Sequence, residues 1–265
     1  MTTPTDYSQF ERRVLILLCG TSPAVVTETL YVLAQAQGPD LQRLFVPTAI
    51  KIITTTQGRE LLWDTVLKVN VNSKQAGGGR VNRVQRLAQD LGLTSPLPLN
   101  PGDILVPRLE GGNEIADAHS KDELDAMGDL ILSTLREYTF DAKTAVFLSI
   151  SGGRKSMGHI AGQCMTAQAR EWDKLIHVIV KPAWLEHPKV EFYYPGDGNK
   201  PVHPSPDDAT ESEEPLVVDA GNPAVLEYSE EPFFRLKPKL PNWKRTRRAT
   251  GSLNWSRCLA TGRKP

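Results

Sequence analysis

The chain has little of several features that would point to a familiar class of protein. Its 265 residues carry no net charge, since 31 lysines and arginines balance 31 aspartates and glutamates. A field that would attract nucleic acid over the whole surface is therefore excluded, and any anion site must be local. The length and the hydrophobic fraction of 40% predict one large globular domain, or one domain plus an appendage.

Cysteine and long apolar runs are also scarce. Cys19, Cys164 and Cys258 are odd in number, far apart and not arranged as a CxxC pair. This pattern argues against a disulfide framework or a structural zinc site and predicts a reducing, cytoplasmic environment. The apolar run at residues 14–18 is too short for a signal peptide, and no run approaches a membrane span. We therefore expect no membrane contact.

The glycine motifs of the common nucleotide-binding proteins are missing. Residues 19–23 lack GxGxxG, and residues 151–156 lack the upstream glycine of a P-loop. Classical dinucleotide or ATP binding is therefore disfavoured. The sequence also shows no convincing carboxylate or histidine cluster at metal-ligand spacing, so we expect neither a cofactor nor a metal.

The sequence does contain a regular alternation of strand-like and helical patterns. Apolar runs with β-branched members occupy residues 14–20, 49–55, 104–106, 145–150 and 175–180. Helical periodicity follows them at residues 23–37, 59–69, 81–91 and 123–138, and again from about residue 155. Ser120 is the candidate cap of the helix at residues 123–138. This alternation predicts an α/β fold with a Rossmann-like, doubly wound, mostly parallel sheet. Residues 191–194 add a last aromatic, strand-like element.

The junction within residues 145–170 carries the clearest chemical signal. A buried strand gives way to Gly152 and Gly153, which allow a tight turn, and a helix begins near Arg154. The unpaired N–H groups and positive dipole end of that helix favour an anion, and Arg154 and Lys155 add positive charge. These residues indicate a phosphate site, while an ordinary glycine turn beside two solvated cations has the same pattern.

A second junction follows the first strand. Thr21 or Ser22 can cap the next helix, with Pro23 at its first position, and ordinary capping would explain Ser22 without any further function. However, parallel strands end at one edge of the sheet, which is where ligands bind in such folds. The turns at residues 20–22, 54–57 and 151–155 should share that edge, which links Ser22 to Lys155.

The composition changes near residue 195. Residues 207–231 contain acids but no lysine or arginine, whereas residues 235–265 contain many lysines and arginines and no acids. This segregation predicts a domain at residues 12–195 and a Pro-rich C-terminal extension at residues 196–265. The extension is interpreted as a solvated tail or as one folded back over the domain. Alternatively its basic end, with Trp243 and Trp255, contacts nucleic acid.

Four segments together carry a family resemblance: CGTSPAVVTETLYVL, IITTTQG, LSISGGRKSMGHIAGQCM and HVIVKPAWLEHPKVEFYYP. With these motifs, residues 12–195 resemble the stand-alone CRISPR-associated Rossmann fold (CARF) proteins of type III CRISPR systems. That family includes the ring nucleases, which degrade cyclic oligoadenylates. The C-terminal extension lies outside the resemblance.

The resemblance implies a homodimer that cuts cyclic tetra-adenylate into linear di-adenylate with a 2′,3′-cyclic phosphate end, without a metal, and so switches off type III CRISPR signalling. The family's serine corresponds to Ser22 and its lysine to Lys155, which we expect to be catalytic. The expected ligand-binding residues are Gly20, Thr21, Thr55, Thr56, Gln57, Gly152, Gly153, Arg154 and Ser156. Two alternatives stay open: a sensor that binds the ring uncut, and a basic tail that contacts RNA or a CRISPR effector complex.

The implied chemistry suits these residue types. RNA supplies its own nucleophile, the 2′-OH, so the protein need only hold it in line with the neighbouring phosphorus and stabilise the developing charge. Lys155 can offset charge on the phosphorane, helped by N–H groups of Gly152 and Gly153. Ser22 can hydrogen-bond a phosphate or ribose oxygen.

The histidines have separate interpretations. Arg154 and His159 match the RxxxxH signature of HEPN ribonucleases, which often accompany CARF domains. That signature belongs to an all-helical domain, whereas here it straddles a strand-to-helix turn, so we interpret the match as coincidence and His159 as a helix-face residue. His177 is expected in the core or an interface. The loop at residues 110–119 could approach the ligand, with Asn113 and His119 as candidate contacts.

Overall fold

The structure, a computed structural model, describes residues 6–37, 42–68, 70–74, 78–186, 190–198 and 226–236. Within these residues the strands are β1 (Arg12–Leu18), β2 (Ala36–Gln37), β3 (Gln42–Arg43), β4 (Ala49–Ile53), β5 (Val71–Asn72), β6 (Arg80–Val81), β7 (Ile104–Leu105), β8 (Thr144–Ser149), β9 (Lys174–Val180) and β10 (Leu226–Glu230). The α-helices are α1 (Ala24–Ala34), α2 (Thr56–Leu62), α3 (Arg83–Asp90), α4 (Lys121–Thr139) and α5 (Lys155–Gln168). A π-helical turn (Trp63–Leu67) continues α2, and short 3-10 turns lie at Tyr7–Gln9, Pro101–Asp103 and Ala183–Glu186.

The central sheet has the strand order β10-β9-β8-β1-β4-β7. Neighbours from β9 to β7 run parallel, whereas β10 pairs antiparallel with β9. Strands β2 and β3, and likewise β5 and β6, form two separate two-stranded ribbons. The predicted α/β, Rossmann-like sheet is confirmed.

Strand β1 explains why the sequence shows an unbroken apolar run rather than an alternating one. Leu15 and Leu17 pack into one core, which α1 and α3 complete, while Ile16 and Leu18 pack into a second core with α4 and α5. All four side chains are fully buried. The sheet is therefore covered on both faces, as in a doubly wound fold.

The start of α4 follows directly from the sequence. Ser120 caps the helix, and its hydroxyl accepts the N–H of Glu123 at 3.3 Å. The Glu123 carboxylate accepts the N–H of Ser120 in return, at 2.8 Å. This reciprocal capping box confirms the predicted cap and fixes the chain just before the helix.

The expected strand at residues 191–194 is wrong. The structure has no strand there; Phe192, Tyr193 and Tyr194 instead pack into the core that contains Leu15. The hydroxyl of the buried Tyr194 donates to Asp90 at 2.9 Å. These aromatic residues therefore follow one another because they are buried in the core, not because they pair in a strand. The sheet edge beside β9 is occupied by β10.

Part of the C-terminal extension completes the sheet. Strand β10 belongs to the acidic stretch, and its Glu230 forms an ion pair with Lys174 of β9 at 2.6 Å. Beyond it, the Arg235 guanidinium donates to the carbonyl oxygens of Arg170 and Asp173 at 3.1 and 3.0 Å. Residues 226–236 thus fold back over the domain. The rest of the basic end, with Trp243 and Trp255, lies outside the described residues, as does Cys258.

Candidate functional site

The strand order reverses between β1 and β8. From β1 the chain continues through β4 to β7 on one side, then returns to place β8 and β9 on the other. Such a switch point opens a crevice at the carboxyl ends of the strands, where ligands of open α/β sheets bind. The turns after β1, β4 and β8 meet there, as expected. We call residues 19–22, 54–57 and 150–155 the rim.

Glycines bring these turns into contact. A Cβ on Gly20 would lie 3.1 Å from the Cα of Gly153, and a Cβ on Gly152 would lie 2.6 Å from the carbonyl oxygen of Leu18. Gly153 also has a φ of +85°, which side chains rarely adopt. A Cβ on Gly58, in α2, would lie 2.8 Å from the carbonyl oxygen of Gly20. The structure therefore joins the three predicted glycines and adds Gly58, whose role depends on a turn distant in sequence.

Ser22 has a hydroxyl that helix α1 does not use. The helix begins at Ala24, and Pro23 occupies the cap position with helical φ and ψ of −73° and −13° and no capping side chain. The expectation that Thr21 or Ser22 caps this helix is wrong. Pro23 holds the cap position, and no side chain accepts a capping hydrogen bond from the first N–H groups of the helix. Both hydroxyl residues are exposed on the rim.

The turn after β4 divides the predicted residues by role. Thr55 is buried, and its hydroxyl accepts the N–H of Gly58 at 3.2 Å, which caps α2. The N–H of Thr56 donates to the carbonyl oxygen of Ile115 at 3.0 Å. Gln57 has an exposed side chain. Thr55 therefore has a clear structural function, and Gln57 is the member of this turn that solvent reaches most.

Arg154 and Lys155 are neighbours with different surroundings. The Nε of Arg154 donates to Oδ1 of Asp117 at 2.6 Å, and a terminal nitrogen donates to Oδ2. These bonds hold the pKa of Asp117 far below the usual range of an aspartate. Lys155 is exposed and forms no ion pair with any residue that the structure describes. Its ammonium is thus the cation of the rim that is available to a ligand.

The first turn of α5 also offers backbone donors. Helix α5 begins at Lys155, which confirms the predicted start. Within the described part of the chain, no group accepts a hydrogen bond from the N–H of Lys155 or of the partly buried Ser156. Two N–H groups and one ammonium therefore lie together where the sequence predicts a phosphate.

The loop that carries the candidate contacts Asn113 and His119 crosses the rim. We call residues 107–119 the rim loop. Arg108 and Glu114 pair across it, around Gly111 and Gly112 with φ of +102° and +87°. Ile115 is buried in the same core as Leu18. Since this anchor and its bond to Thr56 hold the loop against the sheet, the loop is an integral part of the site.

Two carboxylates fix the rim loop to cations of other elements. Glu114 accepts from Arg59 of α2 and from Arg108, each at 2.6 Å, and these arginines lower its pKa. Asp117 binds Arg154 as described above. Glu114, Asp117 and Arg59 were missed by sequence reasoning, because their partners lie far along the chain and no local pattern marks them.

The two candidate contacts from this loop have different positions. His119 is exposed, and its Nε2 lies 2.8 Å from Oδ2 of Asp117 and 3.0 Å from a terminal nitrogen of Arg154. Asn113 lies at the hairpin turn, where its carbonyl oxygen accepts the N–H of Leu109 at 2.9 Å. The structure therefore brings His119 together with a predicted ligand-binding residue, whereas the recorded contact of Asn113 stays within the loop.

The other histidines lie elsewhere. His159 is exposed on α5, with its Nε2 2.9 Å from the side-chain nitrogen of Gln163. It is a helix-face residue, as predicted, and the RxxxxH match straddles the start of the helix. His177 of β9 is partly exposed, and its Nδ1 lies 3.9 Å from Glu231.

A buried acid lies next to the rim and has no counterpart in the sequence prediction. Glu28 of α1 is only 7% exposed. Burial and the charge of Glu186 raise the pKa of Glu28 to about 8. Burial, with a contribution from Glu28, raises the pKa of the neighbouring Cys19 thiol to about 12. The thiol is therefore protonated and unreactive at neutral pH.

The described residues show neither a metal-binding cluster nor a membrane-spanning helix. These residues contain no group of three or more histidine, cysteine, aspartate or glutamate side chains placed to hold a metal ion. Among the helices they form, none has both the length and the apolar character that crossing a bilayer requires.

Comparison with known families decides the broader assignment. The family model of CRISPR-associated protein NE0113 (Cas_NE0113) matches residues 22–252. The chain belongs to this family. The match extends past residue 195 and includes most of the C-terminal extension, which lies outside the resemblance to CARF proteins. Within this extension, strand β10 pairs with β9 in the central sheet. The comparison with curated proteins gave no match.

Proposed function

We propose that this Cas_NE0113 protein is a CARF-type ring nuclease of a type III CRISPR system. As a homodimer with facing rims, it would bind cyclic tetra-adenylate and cut it to linear di-adenylate with 2′,3′-cyclic phosphate ends. The reaction is an internal transesterification in which a 2′-OH attacks the adjacent phosphorus, so it needs no metal. Because the reaction destroys the cyclic ligand, it would end cyclic oligoadenylate signalling.

The observation that carries this proposal is the arrangement around Lys155. An ammonium without an ion-pair partner in the described chain lies in the same turn as two N–H groups of α5. The exposed Ser22 lies in the turn after β1, which packs against the turn of Gly153. These groups would bind a phosphodiester through charge-assisted hydrogen bonds. Because negative charge grows on the phosphorane, their stabilisation increases in the transition state.

Ser22 supports the same reaction. Since α1 does not use its hydroxyl, the hydroxyl is available to a phosphate or ribose oxygen. A hydrogen bond there would hold the 2′-OH in line with the scissile bond, and correct alignment alone contributes a large part of the rate in such reactions.

Replacement of Lys155 tests the proposal. We expect Lys155→Ala to lower the single-turnover rate of cyclic tetra-adenylate cleavage about 100-fold or more, because one preorganised donor to a developing charge has an effect of that order. Lys143→Ala is the matched control, since Lys143 is an exposed lysine that pairs with Glu11 at the opposite edge of the sheet. Cleavage by Lys155→Ala at the rate of the control would contradict the proposal. Tight binding of an uncut ring by the wild type would instead indicate a sensor.

A further inference from the structure

Asp117 and His119 of the rim loop and Arg154 of the rim form one hydrogen-bonded group. Asp117 accepts from Arg154 through both of its oxygens, and the Nε2 of His119 lies 2.8 Å from Oδ2 of the same carboxylate. His119 and Arg154 are 3.0 Å apart. The group joins the rim loop to the turn that carries Lys155, so His119 lies beside the proposed phosphate site.

The backbone of His119 is held in place although its ring is exposed. Its N–H donates to the Glu123 carboxylate at 3.0 Å, and the same oxygen accepts from Ser120 at the start of α4. The preceding Ala118 is buried, and its N–H donates to Asp117 at 2.7 Å. Consequently the imidazole is carried by a fixed segment and oriented by a fixed carboxylate.

The state of the imidazole depends on which neighbour Nε2 bonds. Asp117 can only accept hydrogen bonds and the guanidinium of Arg154 can only donate them, and both lie close to Nε2. The shorter contact, 2.8 Å to Asp117, favours the tautomer in which Nε2 carries the proton. The neutral ring then has its lone pair on Nδ1, which no described residue occupies. The Asp117 carboxylate lies next to the positive charge that forms on the ring when Nδ1 takes a proton. This is the usual design of a histidine general base.

We propose that His119 is the general base of the proposed transesterification and that Asp117 is its positioning residue. This inference rests on the proposed function. Nδ1 of His119 takes the proton of the attacking 2′-OH while the O2′–P bond forms and the P–O5′ bond breaks. The departing 5′-oxygen takes a proton from water, and the imidazolium later returns its proton to solvent. No atoms or electrons are gained or lost overall.

The test compares wild type with His119→Ala and Asp117→Asn in single-turnover cleavage of cyclic tetra-adenylate from pH 5 to 9. We expect His119→Ala to be about 100-fold slower or more, to lose the rise of rate with pH that the base produces, and to regain activity with added imidazole. Binding of the uncut ring should change less than about threefold, because the base acts on the transition state. Asp117→Asn should flatten the same rise of rate, because it removes the carboxylate that orients the imidazole. The charged groups that face the ring are Asp117, Arg154 and Glu123.

His159→Ala is the matched control, since His159 is an equally exposed histidine on α5 that pairs with Gln163. Thermal unfolding of each variant verifies that it is folded. If wild type cleaves and His119→Ala retains the rate and pH profile of the control, His119 is not the base, and the ring nuclease assignment stands. If folded wild type yields no product from the ring, the proposed function fails and this inference fails with it.

Discussion

Two arginine–aspartate pairs lie at opposite edges of the same sheet and show what each edge is built for. At the amino edge, Arg170 and Asp173 are 11% and 0% exposed, and Asp173 also accepts the N–H of Val146. At the carboxyl edge, Arg154 and Asp117 are 47% and 31% exposed. The same kind of ion pair is buried at one edge of the sheet and exposed to solvent at the other.

The difference has an energetic reason. A buried carboxylate is tolerated because every lone pair finds a donor, and removal of one partner leaves a charge without compensation. A pair that water reaches contributes little to stability, since solvent screens it and can replace it. The exposed pair at the rim can therefore exchange its partners with solvent, whereas the buried pair at the amino edge cannot.

The largest effect should come from breaking the buried pair. Asp173→Ala is expected to lower the free energy of unfolding by about 3–5 kcal/mol, because it leaves the largely buried Arg170 guanidinium without a counter-charge and the Val146 N–H without an acceptor. Asp117→Ala is the matched variant at the rim and should cost less than about 1 kcal/mol. Urea unfolding measures both. Equal losses would contradict the distinction between the two edges.

Packing at the rim should show the next largest effect. Gly152→Ala places a Cβ 2.6 Å from the carbonyl oxygen of Leu18, so we expect a loss of about 1–3 kcal/mol in unfolding free energy. Gly162→Ala is the control, because a Cβ there meets nothing within 4 Å and alanine should stabilise α5 by about 1 kcal/mol. Wild-type stability in Gly152→Ala would show that the turns do not pack as described.

A pH dependence of stability should come from Glu28. Its pKa is about 8 in the folded protein, against 4.5 for a free glutamate, so the folded state binds the extra proton between these values. Stability must therefore fall as pH rises through that window, with a slope of about 1.4 kcal/mol per pH unit from this group. Glu28→Gln should remove this contribution, as unfolding at several pH values would show. An identical slope in both proteins would contradict the burial of an acid there.

The sequence predicts the strands, glycine turns and helix starts around the site because interactions between residues close in sequence determine them. Buried strands end in glycine turns, Ser120 caps α4, and α5 begins at Lys155 next to Gly153. Each of these features depends on residues within a few positions of one another. For this reason the meeting of the three turns could be expected before their packing was seen.

The remaining features depend on distant partners. Nothing near Asp117 in sequence indicates that it binds Arg154, and nothing near Glu28 indicates that it lies beside Cys19. Strand β10 was missed for a similar reason: LEYSE follows an acidic, proline-containing stretch, and it becomes a strand through its pairing with β9. Ser22 shows the opposite case, in which a common local rule fails because Pro23 takes the cap position.

The central claim is that the rim cuts a cyclic oligoadenylate without a metal. The most direct measurement is incubation of the purified protein with cyclic tetra-adenylate in excess EDTA, with the products separated by chromatography and weighed by mass spectrometry. The account predicts linear di-adenylate with a 2′,3′-cyclic phosphate end. Recovery of the intact ring, whether bound to the protein or free, would contradict it.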